Sequence, residues 1–258
     1  MISLDTGLWR GQPAASTFNP LSLLPEFWVD SSDASTIYQD SGLTTLAAAD
    51  GDPVGGWKDK SGNARHATQS SGANKPLFKI SIQNGKNVVR FNGTSAVLNT
   101  ASFGYAALTR WAFFVFKTTI TDRRSVWSHS ASDATDLFIF GNSSTAVYSD
   151  IGNAVGPYSQ PSVTFASGYY LLGCVWTRPA GSSILTFYKN GSSSTPTVNS
   201  ATLVPNTTAQ LLNVGRGYSF GSQFHDSDIC ELIYGTSTLS AQNISDLTSY
   251  LNTKWGVY

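Results

Sequence analysis

Charge is scarce in this sequence. Only 12% of its 258 residues are Asp, Glu, Lys or Arg, about half the usual share, and sixteen basic residues balance sixteen acidic ones. Binding to nucleic acid or to an anionic membrane depends on clustered positive charge, and the sequence has no basic run. We therefore expect no nucleic-acid partner. The expected partners are neutral surfaces, proteins or sugars.

Cysteine and long apolar runs are scarce as well. Cys174 and Cys230 each lie in an apolar segment, which favours two buried thiols over a disulfide. No apolar run is long enough to span a bilayer. The first residues, MISLDTGLWRGQ, have neither the basic nor the apolar region of a signal peptide. These absences predict no membrane insertion and no signal for secretion.

Short apolar segments rich in Val, Ile, Phe, Tyr and Trp make up much of the chain, separated by Gly, Ser, Asn, Asp or Pro. This pattern is typical of β-strands joined by turns. Hydrophobic residues reach 41%, enough for a substantial core. Seven such runs predict a β-sandwich. They are residues 87–91, 110–118, 137–140, 169–177, 184–189, 210–214 and 229–234.

Local signals predict two tight turns and one helix. The dipeptides at 92–93 and 190–191 are both Asn-Gly, which readily adopts positive φ. Near the end of the chain, Ser240 is placed as an N-cap. A helical face follows from the i, i+3, i+7 spacing of three aliphatic residues, and we expect this helix to fold back onto the sandwich. These residues are Ile244, Leu247 and Leu251.

The segment at residues 57–69, WKDKSGNARHATQ, concentrates charge in a chain that has little, and so resembles an active site. We interpret it instead as a structural turn. Trp57 is expected to fill core, and Asp59 or Asn63 to bond backbone groups around a turn at Gly62.

Four separated motifs, in a fixed order, carry a resemblance. Across residues 18–258 they resemble the concanavalin A-like lectin/glucanase superfamily and, more narrowly, the laminin-G-like domains of bacterial and bacteriophage proteins. The resemblance implies an all-β fold: a two-sheet antiparallel jelly-roll sandwich with a short C-terminal helix. The motifs are FNPLSLLPEFWVDSSDASTIYQDSG, DPVGGWKDKSGNARHATQ, KPLF followed by NGKNVVRFNGTSAVL, and ICELIYGTSTLSAQNISDLTSYLNTKWGV.

Members of this superfamily include lectins, glycanases, adhesion modules and virion proteins, so the fold alone does not select a function. The segment YQDSGLTTLAAADGDPVGGWKDKSGN is especially similar to segments of phage structural proteins. We therefore expect a non-enzymatic bacteriophage virion protein, assembled in the host cytoplasm as a head decoration, fibre or tail-associated protein, whose lectin-like domain contacts host-surface glycans. Residues 1–17 are expected to form an arm bound to other virion proteins, and the oligomeric state stays open. The alternatives are an extracellular carbohydrate-binding or adhesion module and, less favoured, a glycan hydrolase.

Two catalytic patterns were tested against the sequence. Retaining glucanases of the superfamily carry Glu-x-Asp-x-x-Glu, because their chemistry needs two carboxylates about 5–5.5 Å apart. Glu26 and Glu231 are the only glutamates and lack that spacing, although an Asp pair from separate strands stays open. Residues 217–221, GYSFG, match the Gly-x-Ser-x-Gly elbow, but no helix is predicted after them. We interpret this match as a hairpin loop and expect no enzyme.

Metal sites have weak support. Calcium requires six to eight oxygen ligands, so pairs of Asp residues are insufficient, and we interpret them as turn caps with a calcium ion as the alternative. No other cofactor is expected, because the three histidines are dispersed. The pairs are Asp30 with Asp33, Asp50 with Asp52, and Asp226 with Asp228.

A glycan site requires an aromatic platform with a few polar groups beside it. Four aromatic or imidazole side chains in or beside loops in the middle of the chain are the candidates, with core packing as the alternative. They are Trp127, His129, Tyr148 and Tyr158.

Overall fold

The computed structural model describes residues 18–104, 109–119, 124–129, 165–177, 184–194, 209–217 and 223–258, and the backbone alone of residues 139–143 and 146–150. The arm predicted for residues 1–17 lies outside this range. The described residues form eighteen strands, helix α1 (Ala241–Trp255) and short 3₁₀ helices at Pro20–Leu23, Ala34–Thr36 and Gly72–Asn74. In chain order the strands are β1 (Phe27–Asp30), β2 (Ile37–Tyr38), β3 (Gly56–Trp57), β4 (Ala67–Thr68), β5 (Leu77–Gln83), β6 (Lys86–Arg90), β7 (Leu98–Asn99), β8 (Thr109–Thr118), β9 (Arg124–His129), β10 (Ile139–Ser143), β11 (Ala146–Asp150), β12 (Gly168–Thr177), β13 (Ile184–Lys189), β14 (Ser192–Ser194), β15 (Leu212–Val214), β16 (Arg216–Gly217), β17 (Gln223–Phe224) and β18 (Asp228–Gly235).

In the described part of the chain, these strands form two eight-stranded antiparallel sheets and a separate pair, β16 with β17. Sheet A has the order β14-β13-β12-β8-β18-β6-β5, with β1 also paired to β18. Sheet B has the order β11-β10-β9-β15-β7-β4-β3-β2. Each of the seven predicted runs contains or overlaps a strand. The predicted all-β jelly-roll sandwich with a C-terminal helix is confirmed.

Strand β8 shows how sheet A is buried on both faces. Successive side chains of a strand point to opposite faces, and in β8 both sets are large and apolar. One set packs between the two sheets and the other packs beneath α1. The first set is Ala112, Phe114 and Phe116, and the second is Trp111, Phe113 and Val115.

Helix α1 begins and packs as predicted. Ser240 Oγ accepts a 3.1 Å hydrogen bond from the Asn243 N–H, and Asn243 Oδ1 accepts one of 3.0 Å from the Ser240 N–H, which completes a capping box. Leu247, Leu251 and Trp255 are fully buried against the outer face of sheet A. Within the described residues, no helix has the length and apolar character needed to cross a membrane.

The two Asn-Gly turns differ. Asn190 and Gly191 have φ values of 48° and 81°, as predicted for a tight turn, and they join β13 to β14. At the other dipeptide the prediction is only partly right. Gly93 has a positive φ, of 73°, but Asn92 does not. There the Asn92 side chain makes the turn instead, accepting hydrogen bonds from three successive amides. These belong to Thr94, Ser95 and Ala96, at 3.0, 2.9 and 2.9 Å.

The charged turn is built around Asp59, which is 9% exposed. Its carboxylate accepts hydrogen bonds from the backbone N–H groups of Trp28 (2.9 Å), Ser61 (2.9 Å) and Arg65 (3.0 Å). The Ser61 hydroxyl donates a fourth at 2.7 Å. Trp57 is fully buried in the core between the sheets. The expected backbone bonds of Asp59 are therefore present, and they tie the turn to β1.

The tip of the same turn is also structural. Gly62 has a φ of 93°, in the left-handed region that favours glycine. Asn63 Nδ2 donates hydrogen bonds to the carbonyls of Pro25 (3.1 Å) and Glu26 (3.2 Å). These hydrogen bonds hold the turn against the segment that leads into β1.

The two cysteines are buried and form no disulfide, as predicted. Cys174 packs between the two sheets, whereas Cys230 packs beneath α1. They lie on opposite faces of sheet A, which keeps their thiols apart.

Candidate functional site

A row of mostly polar residues crosses sheet B. Backbone register places one residue from each of six neighbouring strands directly opposite the next. With strands about 4.8 Å apart, the five spacings give a row about 24 Å long. We call these residues the outer row. They are Tyr38, Gly56, Thr68, Asn99, Asn213 and Ser128, on β2, β3, β4, β7, β15 and β9.

The outer row faces away from the core. Its sequence neighbours belong to the apolar cluster between the two sheets, and adjacent residues of a strand point to opposite faces. The side chains of the row must therefore lie on the outer face of sheet B. The neighbours in the core include Trp57, Ala67, Leu98 and Val214.

The β9 end of the row is covered. Ser128 and Asn213 are 0% and 1% exposed, and Asn213 Nδ2 donates a 3.1 Å hydrogen bond to Ser128 Oγ. Ser128 Oγ in turn donates to the Arg216 carbonyl at 2.9 Å. Gly215, with a φ of 88°, lies between β15 and β16 and redirects the chain over β9. Strand β16 thus closes this end.

The β2 end is covered by a turn. A Cβ added at Gly56 would lie only 2.2 Å from Leu43 Cδ2, so Leu43 occupies the space above this glycine. Beyond it, Lys58 Nζ donates a 2.6 Å hydrogen bond to Tyr38 Oη and lies 4.4 Å from the centre of the ring. The Lys58 ammonium and the Tyr38 phenol therefore form this end of the row.

The centre of the row, Thr68 and Asn99, is partly exposed. The Asn99 Oδ1 atom is buried, and no hydrogen-bond donor reaches it within the described residues. A buried acceptor left without a donor costs about 1–3 kcal/mol. A carboxamide and a hydroxyl supply both donors and acceptors without charge. This centre can therefore accept a neutral ligand that carries several hydroxyl groups.

The structure corrects the expected aromatic platform. Trp127 is 0% exposed and His129 is 1% exposed, so neither can present a face to a ligand. Both lie on β9 but point inward, on either side of the outward Ser128. Tyr148 lies on β11 opposite Gly141, with its side chain outside the described part. Tyr158 lies outside the described residues altogether.

His129 has a structural environment. Its Nε2 lies 2.9 Å from the Gln210 carbonyl and 3.2 Å from the Phe103 carbonyl, and its Nδ1 lies 3.4 Å from Tyr234 Oη. Burial lowers the pKa of His129 to about 3. It is therefore a neutral core group that bonds β9 to its surroundings.

The first candidate calcium pair is occupied by lysines. Lys60 Nζ lies 3.0 Å from Asp30 Oδ2 and 2.9 Å from Asp33 Oδ2. Lys254 Nζ lies 2.7 Å from Asp30 Oδ2 as well. The ammonium groups hold the carboxylates where a cation would have to bind.

The second pair is also engaged. Asp50 forms an ion pair with Lys79. Asp52 Oδ2 accepts hydrogen bonds from the N–H groups of Ala48 and Ala49, both at 2.8 Å. Asp52 therefore caps its own turn, as the sequence interpretation expected.

The third pair is divided between different partners. Asp228 accepts two hydrogen bonds from Arg90, at 2.6 and 3.0 Å, and one from Tyr169 Oη at 2.6 Å. Asp226 accepts one from Thr119 Oγ1 at 2.8 Å. Among the residues that the structure describes, no group of three or more His, Cys, Asp or Glu side chains could hold a metal ion.

The two glutamates of the sequence, Glu26 and Glu231, lie in separate structural environments. Glu231 is fully buried beneath α1, where Trp28 Nε1 and Trp255 Nε1 donate to its carboxylate at 2.8 and 2.7 Å. Glu26 instead pairs with Arg65. Burial, followed by the charge of a nearby Asp, raises the pKa of Glu231. Residues 218–221 of the GYSFG segment lie outside the described residues; the strands on either side, β16 and β17, pair antiparallel.

No protein-family model and no curated protein matches the sequence. Among solved structures, the chain is similar to domain 4 of AbnA, a GH43 extracellular arabinanase from Geobacillus stearothermophilus, in complex with arabinotriose. That match has a TM-score of 0.52 and 13% identity, over 74% of this chain and 92% of that one. It is also similar to the Trypanosoma rangeli sialidase in complex with sialic acid, with a TM-score of 0.53 and 12% identity, over 88% of this chain and 33% of that one. The chain therefore spans about a third of the sialidase's length.

At such identities the likeness shows the fold alone. The class that fold and topology define is an antiparallel jelly-roll β-sandwich closed by a C-terminal helix.

Proposed function

We propose that this chain is a non-enzymatic domain that binds a neutral glycan at the centre of the outer row. The observation that carries the proposal is the Asn99 carboxamide, whose buried oxygen has no donor within the described residues. A glycan hydroxyl group placed against Asn99 would supply that donor. Thr68, directly opposite on β4, offers a second hydroxyl contact.

The chemistry of the row favours a sugar over other ligands. Its side chains are hydroxyls, carboxamides and a phenol, with Lys58 bonded to the phenol at one end. The sequence carries no net charge, so it has no general attraction for anions. The fold is shared with an arabinanase domain whose structure contains arabinotriose, which supports a saccharide ligand.

The absence of catalysis is part of the proposal. It is supported by the environments of Glu26 and Glu231, which are engaged in separate structural contacts. A retaining glycosidase needs two free carboxylates on either side of the scissile bond.

We place this glycan-binding domain on a bacteriophage particle, with residues 1–17 as the segment that attaches it to other virion proteins. The support is the resemblance of the sequence to phage structural proteins. Removing residues 1–17 should abolish incorporation into particles while leaving glycan binding by the purified domain intact. Normal incorporation of the shortened protein would disprove the role of the arm.

The binding test uses the purified full chain on an array of neutral oligosaccharides that includes arabinotriose, followed by calorimetry on the best binder. Asn99→Ala and Thr68→Val should each weaken binding at least tenfold, or about 1.4 kcal/mol. Thr94→Val, an exposed threonine in a loop outside the row, is the matched control and should bind normally. Equal affinity in all variants would reject the outer row as the site, and release of shorter sugars would reject a non-enzymatic function.

A further inference from the structure

A groove lies on the opposite side of the sandwich from the outer row, between α1 and the turn that joins β13 to β14. Because α1 covers the outer face of sheet A, this groove cannot be part of the outer row. Its volume is about 470 Å³, within the range of small-molecule sites. Its walls include Tyr188, Ser245, Thr248, Ser249, Asn252 and Tyr258.

One face of α1 supplies most of the polar wall. Ser245, Thr248 and Asn252 are spaced by three and four residues, so they lie along one stripe of the helix. The apolar stripe that contains Leu247 and Leu251 instead packs on sheet A. The described residues that line the groove therefore carry hydroxyl and carboxamide groups and no charged side chain.

Thr248, one of the residues that line the groove, has a buried hydroxyl. The residue is only 7% exposed, and within the described structure its Oγ1 atom is buried with no hydrogen-bond partner. A threonine inside a helix can bond the carbonyl one turn earlier, but this one does not. A buried hydroxyl without a partner is costly, and a ligand in the groove would satisfy it.

Two tyrosines flank the groove. Asn252 Oδ1 accepts hydrogen bonds from the N–H groups of Val257 (3.0 Å) and Tyr258 (3.1 Å), and its Nδ2 donates to the main-chain oxygen of Tyr258 at 2.9 Å. These bonds fix the backbone of Tyr258, whose side chain reaches the β13–β14 turn. A Cβ added at Gly191 would lie 2.8 Å from Tyr258 Oη, so only glycine leaves room there. Tyr188 forms part of the wall on β13.

We propose that this groove is a second binding site, for a neutral sugar residue. The apolar C–H face of a sugar packs on an aromatic ring, and its hydroxyl groups bond Ser and Thr side chains. Thr248 Oγ1 is the central contact, with Tyr258 as the exposed ring. An uncharged wall does not favour acidic or phosphorylated sugars. The groove shares no lining residue with the outer row. Together the two sites would let one chain bridge two glycans.

The test is an NMR titration of the isotope-labelled full chain with arabinotriose, galactose and N-acetylglucosamine as separate probes. At least one probe should produce saturable shifts in the amides of residues 241–258. Thr248→Val and Tyr258→Ala should each raise the dissociation constant for that probe at least about tenfold. Thr94→Val, in an exposed loop outside both sites, should leave it unchanged.

Two controls distinguish a loss of folding from a loss of binding. Thr248→Val removes a hydroxyl that makes no bond, so it should melt at or above the wild-type temperature. Gln242→Ala, on α1 but outside the groove, should bind as the wild type does. Shifts confined to Thr68 and Asn99 would overturn the groove while supporting the outer row. Saturable α1 shifts that persist unchanged in both groove variants would also overturn it.

Discussion

Lys254 Nζ lies 2.8 Å from Glu231 Oε2, with the two side chains only 15% and 0% exposed. The same ammonium lies 2.7 Å from Asp30 Oδ2, so one lysine at the end of α1 joins carboxylates on β18 and β1. The indole N–H groups of Trp28 and Trp255 also donate to Glu231. Charge and hydrogen bonds therefore fasten α1 to sheet A beside its apolar stripe.

The two carboxylates respond differently to this environment. Burial is the largest influence on the pKa of Glu231 and raises it, with the charge of Asp30 adding to the effect. Burial also acts to raise the pKa of Asp30, but the charges and hydrogen bonds of Lys254, Ser32 and Lys60 together lower it. The positive charge of Lys254 thus offsets the repulsion between the two buried carboxylates.

Replacing Lys254 with Met should lower the free energy of unfolding by about 3–5 kcal/mol, because it leaves two buried carboxylates without their shared cation. Adding Glu231→Gln should recover part of that loss, since Gln keeps an acceptor for the indole N–H groups and removes a charge. Urea denaturation of the single and double variants measures the coupling. A loss below about 1 kcal/mol would mean that the pair behaves as an exposed ion pair.

Two buried histidines should make the fold sensitive to acid. Burial lowers the pKa of His225 to about 4 and that of His129 to about 3, from 6.5. Between pH 6.5 and these values the unfolded chain binds more protons than the folded chain. Stability is therefore full above about pH 6.5 and falls on acidification, by up to about 1.4 kcal/mol per pH unit for each histidine.

The variant His225→Phe isolates one of these groups. His225 is surrounded by the rings of Phe91 and Phe116, so a phenyl ring suits its site. Unfolding free energies measured from pH 7 to pH 5 should show a shallower pH dependence in the variant. Glu231, whose raised pKa has the opposite effect, is the same in both chains and cancels from the difference. Parallel curves would show that His225 already titrates in the folded chain.

The sequence predicts the parts of the fold that depend on local pattern. The apolar run of β8 and the cap at Ser240 are local signals, and both agree with the structure. The role of Glu231 has no such signal, because a Glu in an apolar run is ordinarily expected to be exposed. A register shift between Ile229 and Glu231 leaves both Cys230 and Glu231 on the side that faces α1. Only the pairing of distant strands reveals this.

In sheet B, a shift of one residue along a strand moves a side chain from the core to the outer surface. The sequence predicts Trp127 and His129 in or beside loops, but they lie on strand β9 and point inward, and the outward position between them is Ser128. Asn99 and Asn213 lie on strands of two and three residues, too short for a clear alternation. What brings them opposite each other is pairing across more than a hundred residues. An Asn between two buried apolar residues, as at 213, is the signal that points to an outward polar position.

Asp59→Ala should lower the free energy of unfolding by about 2–3 kcal/mol, because it removes the acceptor for three backbone N–H groups in a nearly buried turn. Asp52→Ala is the matched control and should lower the melting temperature less, since Asp52 caps a more exposed turn. Thermal melting of both variants, with glycan binding measured on each, checks the assignment. If Asp59→Ala kept its melting temperature but lost ligand binding, the turn would be part of a binding site.

Gly173 tests the packing beneath α1. It lies opposite Phe113 on the neighbouring strand, and a Cβ added there would lie 2.2 Å from Phe113 Cε1. Gly173→Ala should therefore cost about 1–3 kcal/mol through overpacking, and Phe113→Leu in the same chain should recover part of it. Gly168, on the same strand, has no atom closer than 3.9 Å to an added Cβ, so Gly168→Ala should be neutral or stabilising by up to about 1 kcal/mol. Equal melting temperatures for the two alanine variants would show that the Phe113 ring moves aside without cost.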